Sequence, residues 1–174
     1  MNAANSAVPT KVVSRPAAIT TILWIGLVAG TLDISYNLIY NAFRHVTPAM
    51  VFRFIASGLV GVPRIEQMGA AGIALGVIVH YCIAIAWTVI FYAASRKIAM
   101  LWRRPAISGL LYGCIVFVVM NFIVVPLSNV PHLKRHFTLF TWFYVVVAPL
   151  LFCIGLTISL LVRKYAPPPE ARQG

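Results

Sequence analysis

Acidic side chains are almost missing from this chain: Asp33, Glu66 and Glu170 are the only three in 174 residues. Calcium or magnesium cages and two-carboxylate hydrolysis need clustered carboxylates, so the count alone argues against both. Cysteine is scarce too. Cys82, Cys114 and Cys153 each fall inside an apolar run, where a thiol behaves as a small hydrophobe, and there is no CxxC pair. Neither a phosphate-binding loop nor a nucleophile elbow is present. His132 and His136 have the spacing of helical metal ligands, but they flank Lys134 and Arg135 in a short loop. No metal site is expected there, and no cofactor is implied elsewhere.

What the chain has in excess is apolar surface. It is 61% hydrophobic and 10% charged, with a mean hydropathy of +0.90, values that belong to bilayer proteins rather than soluble domains. A hydrocarbon core about 30 Å thick needs roughly 20 apolar residues per helix. Four such runs occur, Ile19 to Phe43, Ala70 to Ser95, Ala106 to Ser128 and Thr138 to Val162. They are continuous rather than alternating, and each is about twice the length of a membrane strand, which excludes a barrel. The expected fold class is all-α, an integral membrane four-helix bundle. Lys11 and Arg15 before the first run resemble the start of a signal peptide, but the run continues past Val28-Ala29-Gly30 to Phe43, as a retained anchor does. Trp24, Trp87, Trp102, Trp142 and Tyr144 read as interface anchors and core.

Lysine and arginine alternate between sides. The tails and the middle loop hold nine, whereas the first and third loops hold five. The positive-inside rule then predicts that both termini are cytoplasmic. The net charge of +11 is spread over loops with no long basic arm, so anionic lipid head groups suffice as partners and nucleic acid is not expected. The tails, 1–18 and 163–174, are polar and proline-rich at their ends and are expected to be disordered.

Between the first two runs, residues 47–63 (TPAMVFRFIASGLVGVP) open with Thr47-Pro48, a cap and first-turn pair. The segment is too short to span. Val51, Ile55, Gly58, Leu59 and Val62 share one face, as in a helix that lies in the interface or dips back into the bundle.

Three of the runs repeat a pattern: two glycines four apart, then a strongly polar residue. They are Gly26, Gly30 and Asp33; Gly72, Gly76 and His80; Gly109, Gly113 and Asn121. Asn37 and Asn41 extend the first stripe. Small residues let helices approach closely, and a charged side chain facing lipid costs about 2.5–3.5 kcal/mol on insertion scales, so these stripes are expected to face protein. At about 1.5 Å rise per residue, Asp33 and Asn121 lie about 21 and 22 Å from the cytoplasmic ends of their helices, and His80 about 15 Å from the outer end of its own. The three are therefore level, and an Asp33–His80 charge-assisted pair with Asn121 as a further partner is expected. Such a layer either sets helix register or binds a cation or relays a proton. Pro126 and Pro149 should kink or locally end the third and fourth helices.

GLVAGTLD in the first helix, a mid-helix histidine followed by a run ending in YAAS, and the segment from RRPAISGLLYG to VVPLS together resemble the small bacterial inner-membrane proteins of the YagU-like type over the first three helices. The resemblance implies an inner-membrane location and transfers no catalytic residues. The expected role is a non-enzymatic structural or accessory membrane component that self-associates or joins a larger complex. The alternative is a small ion or proton carrier using Asp33, His80 and Asn121.

Overall fold

The computed structural model describes residues 18–130, 143 and 147–166. Among them there is no strand. Three helices are long and apolar enough to cross a membrane: α1 (Ala18–Ala42), α4 (Ala70–Lys97) and α6 (Pro105–Leu127). The first part of the expected fourth span, with Trp142 and Tyr144, lies outside the described residues, as do both expected tails as far as residue 17 and from residue 167. The rest of that span is helical: a wide-turn segment, Leu150–Leu156, leads into α7 (Thr157–Tyr165).

Short helices join the long ones. The chain turns at His45, with φ 58°, into α2 (Pro48–Val60), where the Thr47 hydroxyl accepts the Met50 N–H at 3.4 Å and Pro48 starts the first turn. Gly61, at φ 82°, interrupts the helix, so residues 47–63 are not continuous, and α3 (Val62–Gln67) comes next. That backbone angle suits glycine because it lacks the Cβ that would clash. α5 (Ala99–Arg103) links α4 to α6.

The helices pack as two antiparallel pairs, α1 with α4 and α6 with the run Leu150–Tyr165. In one, Gly26 of α1 faces Ile85 and Thr88 of α4, and Gly30 faces Tyr81 and Ala84. In the other, Gly109 faces Gly155, Leu156 and Ser159, and Gly113 faces Leu150 and Leu151. Ser159 Oγ donates to Pro105 O at 2.7 Å, holding the start of α6 to α7. The pairs meet through a cluster that includes Ile25, Ala29, Phe91, Tyr112, Val116, Ile154 and Ile158. Tyr112 Oη donates across it to Trp87 O at 2.6 Å. Outside the cluster, large apolar side chains point outward, among them Trp24, Ile78, Leu111 and Phe122. Water would penalise that arrangement, whereas lipid solvates it.

Both prolines border widened turns. Pro126 lies just after Met120–Val124 and Pro149 precedes Leu150–Leu156, both with i→i+5 hydrogen bonding. Thr157 N–H reaches Phe152 O in the second, and Thr157 Oγ1 donates to the same carbonyl at 3.0 Å. Pro126 withholds one N–H and crowds the turn before it, and an extra residue in that turn relieves the crowding.

The antiparallel packing also sorts charge. The start of α1, the end of α4, α5, the start of α6 and the end of α7 share one end of the molecule, which therefore carries Arg96, Lys97, Arg103, Arg104, Arg163 and Lys164. There Arg163 stacks over the Trp102 ring at 3.5 Å. Arg44, Arg53 and Arg64 belong to the helix ends and connectors before α4.

Candidate functional site

The site grows from the α1–α4 seam. Because Gly30 has no side chain, α4 comes close enough for the imidazole of His80 to reach the Gly30 carbonyl, with Nε2 at 2.9 Å from the oxygen. A carbonyl only accepts, so Nε2 carries the hydrogen and Nδ1 is left as the atom that can take up a proton. The ring is braced edge-on by Tyr81 at 5.3 Å between centroids, and Tyr81 Oη hydrogen-bonds Thr31 Oγ1 at 3.0 Å.

Asp33 lies about one turn further along α1, and Asn37 one turn beyond that. Together with His80 they border a cavity of about 190 Å³. The rest of its wall is apolar, with Ile55 from α2, Trp87 from α4, Val116 and Met120 from α6, and Ile154 from the segment before α7. The volume is several times the roughly 30 Å³ share of one liquid water. Asp33 is close enough to His80 to interact electrostatically. Among the described residues, however, no hydrogen bond or ion pair joins the two, and none engages the Asp33 carboxyl. The expected direct pair is replaced by the His80–Gly30 bond, because the backbone carbonyl is nearer to the ring than the carboxyl is. Asn37 Oδ1 accepts from Asn41 Nδ2 at 2.8 Å, a bond within α1.

Asn121 is not brought to this site. Its amide donates to Phe117 O at 3.0 Å, one turn back on its own helix, and the residue sits in the widened turn Met120–Val124. Gly113, two turns before Asn121 on the same stripe, faces Leu150 and Leu151, so that stripe is turned toward the segment before α7, whereas Val116 and Met120 of α6 line the chamber.

Of the glycines singled out by spacing, Gly76 makes the closest approach: a Cβ there would run into the backbone of Phe52, so α2 lies directly against α4. Arg53 reinforces this contact by donating to Gly69 O at 3.3 Å. Gly26, Gly30, Gly109 and Gly113 sit at the paired seams, whereas Gly72 has ordinary clearance, 3.4 Å to Ile65 O. Spacing did not pick out Gly155, whose missing Cβ makes room for the backbones of Gly109 and Gly113 together. A single glycine in the helical run after Pro149 was its only signal. Ile55 was placed on the apolar face of 47–63, but nothing local indicated that it would close the chamber.

His132 and His136 lie outside the described residues, and no group of three or more His, Cys, Asp or Glu converges among the rest. Cys82 and Cys114 are exposed, Cys153 is half-buried, and all three are free thiols. No family model, curated protein or solved structure matches the chain, and nothing identifies it with the YagU-like family.

Proposed function

We propose that this chain is a four-helix protein of the bacterial inner membrane, with both termini cytoplasmic, that performs no covalent chemistry and binds and releases a proton or small cation at Asp33. The observation that carries this reading is an acidic side chain turned toward a cavity between apolar helices with no partner of its own among the described residues. Leaving a carboxylate bare in such surroundings is costly, and a proton or a cation removes the cost. His80 lines the same chamber, and with Nε2 bonded to the Gly30 carbonyl its other ring nitrogen is a second proton acceptor. The basic residues gathered at one end support the orientation, since short loops rich in Lys and Arg remain on the cytoplasmic side.

A purely structural or accessory role is favoured by one feature, the His80–Gly30 bond, which pins α4 to α1. Reconstitution separates the two readings. Proteoliposomes containing a pH-sensitive dye, driven by an imposed potential, are expected to show proton flux with the wild-type chain and background flux with Asp33→Asn. The variant should unfold at an unchanged or higher temperature. Equal flux from both proteins would leave the accessory role, whose members self-associate or enter a larger complex, as the better account.

A further inference from the structure

Beside the Asp33 chamber lies a second cavity, about 370 Å³, between α2, α4 and the widened end of α6. Ile55, Ile83 and Met120 line both spaces, so the two adjoin at these three apolar residues. The second space differs in chemistry. Phe54, Leu59, Val79 and Val124 line it, and Ser128 is its one hydroxyl. Its rim reaches the outer surface, where Phe54, Leu59, Val124 and Val125 are exposed. Met120 is unbranched and adapts its shape readily, as a movable partition must. No Lys or Arg lines either cavity among the described residues, and Asp33 is the only acid on α1, α4 or α6.

From this juxtaposition we infer that the protein binds a single-chain amphiphilic amine or quaternary ammonium, its cationic head beside Asp33 and its alkyl chain in the groove between α2 and α6. The inference rests on the reading of the chamber as a cation site and names the class of cation. Charge complementarity selects it: Asp33 attracts a cationic head and disfavours a fatty acid or anionic phospholipid. The groove's volume falls within the range of small-molecule sites, about 300–1,000 Å³. Its opening toward the surface lets a ligand arrive from the bilayer with the chain already buried.

The test uses the full chain in nanodiscs of zwitterionic lipid. Tetramethylammonium and octyltrimethylammonium are titrated against the wild type, Asp33→Asn, Val79→Phe and Val124→Phe. Partitioning of the longer cation into lipid is common to all four proteins, so comparison between them isolates the groove. Asp33→Asn is expected to lose both cations. Either phenylalanine variant, by filling the groove, should narrow the octyl-over-methyl preference at least about tenfold, as loss of a few buried methylenes requires. An unchanged preference in both phenylalanine variants would mean that the chain stays in lipid, and would overturn the inference while leaving the cation site intact. Absence of binding to the wild type, with proton flux still dependent on Asp33, would also overturn it and spare the proton reading. Loss of Asp33-dependent flux and of all cation binding would end both.

Discussion

The two glycine-packed helix pairs use the same device for opposite ends. Between α6 and the run leading into α7, Gly155 lies against Gly109 and Gly113, backbone on backbone. Between α1 and α4, Gly26 and Gly30 meet mainly the side chains of Tyr81, Ala84, Ile85 and Thr88, and the next turn carries Asp33 while the opposite helix carries His80. Close approach in the first pair sets backbone on backbone. In the second it brings a carbonyl within reach of an imidazole, beside a mainly apolar chamber that Asp33, Asn37 and His80 border. Small residues therefore set distance, and what stands one turn beyond them sets chemistry.

The largest effect that would break this contrast is expected at the backbone-on-backbone seam. Gly155→Leu puts a side chain where two backbones already touch. Overpacking a well-filled contact costs about 1–3 kcal/mol, and a backbone that cannot yield raises the figure. Folded protein recovered from membranes, measured by size-exclusion chromatography in mild detergent, should fall to a small fraction of wild type. Survival of a monodisperse Gly155→Leu protein would show that the pair is looser than its geometry. At the α1–α4 seam the corresponding change, Asp33→Asn, should cost function rather than folding, and thermal unfolding of the same preparation used for flux checks that division.

A smaller effect is expected from His80→Ala, which removes the bond to the Gly30 carbonyl. Hydrogen bonds between membrane helices contribute about 0.6 kcal/mol on average and up to about 1.7, so a modest drop in unfolding temperature should appear. A change as large as that of Gly155→Leu would mean that His80, and not the glycine, holds the α1–α4 pair. Tyr112→Phe tests the link between the pairs, since its hydroxyl donates to Trp87 O at 2.6 Å. Its loss is worth about 0.5–1.5 kcal/mol, and because Trp87 borders the chamber, tryptophan fluorescence should shift along with stability. The least effect is expected from Arg163→Ala, which removes a cation from the face of Trp102 at the basic end, worth about 0.5–1 kcal/mol at an exposed site. Arg163→Lys should recover only part of that, because a guanidinium stacks flat and an ammonium does not.

How much of this was legible beforehand depends on the range of the cause. The lengths of α1, α4 and α6 came from runs of apolar residues, a property each segment carries alone. Thr47 and Pro48 marked the start of α2 for the same reason, since capping is settled within one turn. The glycine stripes pointed to faces without naming the helix opposite. Asn121 illustrates the limit. Its depth was calculable from helical rise, yet its amide bonds the Phe117 carbonyl of its own helix, and its stripe, through Gly113, faces Leu150 and Leu151 and not Asp33 and His80. Rise along a helix fixes depth; which neighbour a stripe faces is decided by packing.

By itself, then, the sequence determined that this chain is helical and that three of its helices are long and apolar enough for a bilayer. Those properties depend on residue type and on rise per residue, both local quantities. Tertiary structure alone decided that α1 pairs with α4 and α6 with α7, that His80 bonds to Gly30 and not to Asp33, and that Ile55 closes the chamber. Each of those outcomes depends on the distance and rotation between two backbones, which are set where the glycines touch and are encoded in no single helix.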